Sequence, residues 1–403
     1  MQATMKNFLL LACVVLFGLN SDAQTENYWT QKSNFGGLKR ERAISFTALG
    51  LAFVGTGVDT AETVKNDLWS YDPIADSWTQ KANMPGVPRR NAFAFSANDK
   101  GYVGTGYSQA ESILGVELSD FWEYTPTTNT WTQKTSYPFP IYFSTAFSIN
   151  GKGYVCGGKI GPSSYTPSMY EYNPVTDTWT PRASFPGGVR YQLCSFVIDN
   201  SAYVGLGTDE DLYRNDFWEY KPSLDQWIQK ADLPASERAN THTFTLGSRG
   251  FVCMGTNGGY LDDLWEYNPF SNAWSVRATY GGSKRKGGVG FALNGRGYVG
   301  TGKGFDGKKD SFYEYTPGAW VGMEENEIAQ FEIYPNPAQN TIHLNTTSTS
   351  IQRVEICNMQ GEIVYTSEMA ASLNIQELET GLYFLLAKNA KGEILGNEKL
   401  IVR

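Results

Sequence analysis

The stretch LWSYDPIADSWTQK, residues 68–81, decides the fold, because both of its halves recur along most of the chain. The aromatic doublet followed by proline returns as FWEYTP at Trp122, MYEYNP at Tyr170, FWEYKP at Trp218, LWEYNP at Trp265 and FYEYTP at Tyr313. The WTQK half appears at Trp29, Trp78, Trp131, Trp179, Trp227 and Trp274, in steps of 49, 53, 48, 48 and 47 residues. Between copies runs a glycine-closed string: FVGTG to Gly57, YVGTG to Gly106, YVCGG to Gly158, YVGLG to Gly207, FVCMG to Gly255 and YVGTG to Gly302. Trp69 and Tyr71 stand two apart and so share one face of a strand. Each unit reads as four short strands, and one such sheet cannot cover its own faces. Sheets stacked around an axis cover one another, with aromatics wedged between them and glycines where backbones crowd.

The count also closes on itself. Tyr71 precedes Trp78 by seven residues and Tyr267 precedes Trp274 likewise, but Tyr315 is followed by Pro317-Gly318-Ala319-Trp320 and a polar segment. The last unit therefore lacks its outer strand, and the orphan Trp29 strand supplies it, joining the chain's ends and removing open edges. The expected fold is all-β: a six-bladed propeller over residues 24–320, closed by an N-terminal strand, then a linker at 321–330 and a small β-sandwich at 331–403.

Composition narrows the function. Charged residues make up 18% and the net charge is −8, so the broad basic surface that nucleic acid requires is missing. Lys6, the apolar run Phe8 to Leu19 and Ser21-Asp22-Ala23 have the order of a cleavable signal peptide over residues 1–23. A lipid anchor at Cys13 fits less well, since the apolar run continues beyond that cysteine. No transmembrane segment is expected, the run being short for a bilayer. Cys156, Cys194, Cys253 and Cys357 form no metal-type cluster, and Cys156 and Cys253 occupy one repeat position two blades apart, too far to bridge. They read as small buried hydrophobes.

These strings resemble the kelch family, in which a glycine pair, a Tyr or Trp and a downstream Trp recur about every 50 residues. The resemblance covers roughly residues 27 to 320. Most copies read G-x-G, as at Gly104-Thr105-Gly106, and only Gly157-Gly158 is a doublet. The C-terminal part resembles the sorting domain of type IX secretion substrates in Bacteroidota, through Tyr334-Pro335-Asn336-Pro337, Gly381-Leu382-Tyr383 and Lys399-Leu400-Ile401-Val402. That resemblance implies export, passage of the outer membrane with the type IX machinery as a partner, and removal of the tag. An ordinary carbohydrate-binding or immunoglobulin-like appendage is the alternative.

Catalytic constellations are sparse. Kelch relatives of the galactose-oxidase type hold copper with two His and two Tyr, and His242 is the propeller's one histidine, so no cofactor is expected. His343 lies in the C-terminal part. Gly295-Arg296-Gly297-Tyr298-Val299-Gly300 matches GxGxxG but enters a strand, with no helix to follow. Asp209, Glu210 and Asp211 lack calcium-loop spacing. Asp59-Thr60-Ala61 fits a short O-glycosylation acceptor pattern of Bacteroidota.

The chief candidate is periodic. Arg42, Arg90, Tyr142, Arg190, Arg238 and Lys286 stand 48, 52, 48, 48 and 48 apart, each at the start of an innermost strand, and in the kelch resemblance they ring the channel mouth. Such cations would take a carboxylate or sulfate. The competing reading pairs them within blades, with Asp67, Asp120, Asp216 and Asp263 at the start of the doublet strands; Ser168 replaces Asp in the blade of Tyr142. The loops Tyr107 to Ser119 and Lys303 to Asp310 vary most, as binding loops do. The expected function is a secreted or cell-surface binding module for a glycan or protein ligand, against a sugar-modifying enzyme or a structural matrix component.

Overall fold

The computed structural model describes residues 27–109, 115–209, 212–318, 331–346, 351–358, 363–389 and 394–403. The expected signal peptide, the whole linker at 321–330 and Trp320 lie outside them. The described chain is all-β and forms two compact units, the first ending at Gly318.

The first unit holds six four-stranded antiparallel sheets. In blade 1 these are, from the axis outward, Ile44–Ala48, Leu51–Gly55, Leu68–Asp72 and Ser77–Lys81. In blade 6, Val289–Leu293, Arg296–Gly300 and Phe312–Thr316 come from the end of the repeat region, while the outer strand is Tyr28–Lys32, in register Tyr28 to Thr316 and Lys32 to Phe312. The orphan strand thus closes the ring. Inner strands alternate buried and half-buried residues, the buried aromatics entering the space between blades. Phe46 stacks on Phe53 at 4.9 Å and presses toward blade 2, where a Cβ at Gly101 would lie 2.1 Å from the Phe46 ring. Gly101 is there because any side chain would enter the Phe46 ring.

Each WTQK tryptophan ties its blade to its neighbour by donating its indole N–H to a backbone carbonyl: Trp131 to Ala82 at 2.8 Å, Trp227 to Ala183 at 2.9 Å, and across the closure Trp29 to Ala278 at 3.1 Å.

The second unit stacks a three-stranded sheet (Phe331–Tyr334, Thr341–Thr346, Ser372–Asn374) on a four-stranded one (Ile363–Glu368, Arg353–Cys357, Gly381–Lys388, Ile394–Val402). Ile342, Leu344, Val354, Ile356, Leu385 and Leu400 form the core between them. Asn336, from Tyr334-Pro335-Asn336-Pro337, donates to the carbonyl of Lys399 and accepts from the N–H of Ile401 at 2.9 Å. Two separated motifs therefore meet.

Candidate ligand site at the channel mouth

The periodic series is not one structural position. Arg190 and Arg238 are buried, and each grips an aspartate with two guanidinium nitrogens, Arg190 holding Asp216 and Arg238 holding Asp263, the latter at 2.6 and 2.8 Å. Their equivalents are Arg40, bound to Asp67, and Arg89, bound to Asp120 at 2.6 Å twice. These residues stand eleven after the preceding strand tryptophan, as Trp78 to Arg89 and Trp227 to Arg238. Counting from the tryptophan would have found them; counting cation to cation merged neighbours. Arg190 and Arg238 are thus removed from the mouth ring, because their charge is spent inside their blades.

The aspartate has a second duty, accepting the indole N–H of the doublet tryptophan: Trp122 to Asp120 at 2.7 Å, Trp265 to Asp263 at 2.8 Å. Where Ser168 and Ser311 replace it, the doublet opens with Tyr170 and Tyr313. In blade 3 the arginine is also gone, Ile141 taking its place. In blade 6 Arg285 remains, buried, and bonds the Ser311 hydroxyl at 2.9 Å.

Arg42, Arg90, Tyr142 and Lys286 stand one or two residues further along than the paired arginines, and Arg42 lines a cavity on the axis. Arg42, Asn91, Phe143, Gln192, Asn240 and Gly287 all have positive φ, between 54° and 62°. Left-handed geometry at five non-glycine residues costs roughly 1–2 kcal/mol each. It is held by a chain of backbone bonds around the axis: Arg42 N–H to Gly287 at 2.6 Å, Asn91 to Arg42 at 3.2 Å, Phe143 to Asn91 at 3.0 Å and Gln192 to Phe143 at 2.9 Å. A cavity of about 130 Å³ lies within this girdle, and one of about 390 Å³ below it, touched by all six inner strands and lined by Ser45, Thr47, Ser96 and Thr245.

Above the girdle the mouth is lopsided. Blades 2 to 4 give a run of rings: Tyr107 and Tyr142 at 5.3 Å, Tyr142 and Phe143 at 5.4 Å, Phe143 and Tyr191 at 5.7 Å, Tyr191 and Tyr165 stacked at 5.1 Å. The cations sit on rings. Arg42 covers Phe143, Arg90 covers Tyr107, Lys286 covers Tyr260, and Lys159 lies 5.0 to 5.8 Å from Tyr142, Tyr165 and Tyr191. The aromatic wall was not foreseen, since its members come from segments of unlike sequence in three blades.

Electrostatics concentrate at Arg90. Burial and then the like charge of Arg42 hold its basicity below the usual value. Its terminal nitrogen donates to Gln109 at 3.0 Å, but its Nε–H is out of solvent and has no acceptor among the described residues. Burial, Arg42 and Lys303 act in the same sense on Lys286. Lys308, buried, reaches from the Lys303 to Asp310 loop to Glu62 and the carbonyl of Asp59, both at 2.7 Å, and stands 3.9 Å from Glu41. The Asp59 carboxylate accepts from the backbone of Ala61 and Thr63 and pairs with Lys65 at 2.7 Å, leaving Thr60 exposed at the tip.

Other candidates fall into structural places. His242 Nε2 accepts the N–H of Gly288 from the next blade at 2.8 Å, and burial, with Arg285 nearby, pushes its pKa down to about 3. Gly295 lies in a hairpin turn leading into Arg296–Gly300. Asp209 takes Arg214 as partner, while Glu210 and Asp211, like Ile113 and Leu114 of the longest loop, lie outside the described residues. The four cysteines are free and buried, and burial pushes the Cys194 thiol up to about 12. Among the described residues no three His, Cys, Asp or Glu are grouped to hold a metal, and no helix is long and apolar enough to cross a membrane.

Six interlocked four-stranded blades with this arginine, aspartate and tryptophan repeat define a β-propeller of kelch type. Residues 140–186 match the family described as Kelch motif, and residues 332–403 match the secretion system C-terminal sorting domain. The chain therefore joins a kelch propeller to a type IX sorting domain, which marks it for export to the cell surface or beyond. No curated protein matches it. Among solved structures, one titled "Structure of YjhT" superposes with a TM-score of 0.60 at 17% identity, covering 69% of this chain and 95% of that one. At that identity the likeness concerns the fold.

Proposed function

We propose that the propeller is an extracellular binding module, and that it takes an anionic group of a glycan or protein ligand between Arg42 and Arg90. The observation that carries this is the buried Arg90 Nε–H, which has no acceptor among the described residues, beside a second cation whose charge repels it. A bound carboxylate or sulfate satisfies the donor and relieves the repulsion. Export follows from the sorting domain, with residues 1–23 removed first and residues 321–330 serving as the link. The test is binding of the secreted protein to anionic glycans and peptides on arrays. Arg90→Gln is expected to abolish most of the signal, and unchanged binding in that variant would sink the reading.

A sugar-modifying enzyme is the second reading, favoured by Glu41, a buried carboxylate 3.7 Å from Arg42 in the same mouth. Turnover of a bound sugar that disappears in Glu41→Gln would establish it.

A further inference from the structure

Resting on the anion site just described, we propose that the ligand is an acidic polysaccharide lying across blades 4, 3, 2, 1 and 6, with the rings of blades 4 to 2 at one end and the cations of blades 3 to 6 along the rest. The cations follow that order around the mouth: Lys159, Arg90, Arg42, then Lys286 with Lys303. From Arg90 to Lys303 each cation is within electrostatic reach of the next, and Lys159 joins them through the Tyr142 and Tyr107 rings, the second of which Arg90 covers. Among the described residues Glu41 and Glu62 reach this arc, Glu41 standing 3.7 Å from Arg42, and the buried Lys308 faces both of them. One anionic group occupies one or two of these positions. A chain with a charge on successive units occupies all of them, and its affinity grows with length until the arc is spanned.

The choice of saccharide rests on the rings. Tyr191 and Tyr165 stack with only 11° between their planes, and the run continues through Phe143 and Tyr142 to Tyr107 along the same arc. Flat aromatic faces offer contact area at little entropic cost and suit the apolar face of a pyranose ring. An acidic peptide uses the cations and leaves this wall idle.

The experiment is titration of the full-length secreted protein with heparin-derived oligosaccharides of two, four, six and eight sugar units, with glucuronic acid and with hexaglutamate. The dissociation constant is expected to fall about tenfold or more from disaccharide to hexasaccharide. Lys159→Gln, Lys286→Gln and Tyr191→Leu should each weaken hexasaccharide binding about fivefold. Lys221→Gln, on the opposite face, should change nothing. Equal affinity for glucuronic acid and hexasaccharide overturns the proposal, as does hexaglutamate binding equally well with Tyr191→Leu silent. Both outcomes leave the Arg42 and Arg90 site standing, which falls only if Arg90→Gln alters binding of none of these anions.

Discussion

Tyr315 donates its hydroxyl to the Asn27 side chain at 2.7 Å across 288 residues of sequence, and the same Asn27 oxygen accepts the N–H of Ala278 at 3.0 Å. Every other blade makes this pair locally, as Tyr124 does with Asn129 and Tyr220 with Asp225, five residues on. The closing blade satisfies the same rule with a residue from the other end of the ring.

Asn27→Ala removes the shared acceptor and leaves a buried tyrosine hydroxyl and a backbone N–H unpaired, at about 1–3 kcal/mol. Thermal unfolding should show a fall of several degrees. Asn129→Ala should cost a similar amount, and a much smaller loss at Asn27 would mean the closure is not an ordinary blade contact.

Asp120→Ala strands the buried Arg89 and removes the partner of the Trp122 indole. Removing one partner of a buried pair costs about 3–5 kcal/mol, which urea unfolding would read directly. Ser311→Asp makes the reverse change, giving Arg285 the carboxylate that four other blades have. It should raise stability by about 1–2 kcal/mol, and a destabilised Ser311→Asp would show that Tyr313 and its neighbours have closed that space.

His242 predicts a pH dependence. Its folded pKa of about 3 lies below the ordinary value near 6.5, so the unfolded chain binds the extra proton first. Its contribution to stability is complete above pH 6.5 and is lost as the pH falls toward 3, at about 1.4 kcal/mol per pH unit. Melting temperatures of the wild type should drop between pH 6.5 and 4.5, and His242→Gln should flatten that slope while keeping an acceptor for Gly288.

Gly101→Val places carbon atoms inside the Phe46 ring, and overpacking of this kind costs about 1–3 kcal/mol or more. A loss of soluble, protease-resistant protein is expected. Gly259→Ala, in an exposed loop with no left-handed backbone and only an ordinary contact at 3.6 Å from Asn257, should cost much less.

The propeller was legible because its repeats are spelled in residues that do the same work in each blade: the indole of Trp131, the Trp69 and Tyr71 pair, the glycine strand. The place of the orphan Trp29 strand followed from that spelling. The arginine pairs were half legible. The aspartates were placed correctly, but Arg89 and Arg90, or Arg40 and Arg42, differ by a residue or two that strand periodicity cannot resolve in a left-handed turn. The covariation of Asp120 and Trp122 with Ser168 and Tyr170 was present in the text and marks the paired function. The aromatic wall was illegible, since Tyr107, Tyr165 and Tyr191 come from unlike segments of three blades and meet only through the ring.

The link from Asn336 to Lys399 and Ile401 bears on how the sorting domain presents itself. The two ends of that domain, which read as separate words in the sequence, are neighbours only after the sandwich has closed. A chain stopped short of Lys399 keeps the first word intact yet loses the shape that both compose.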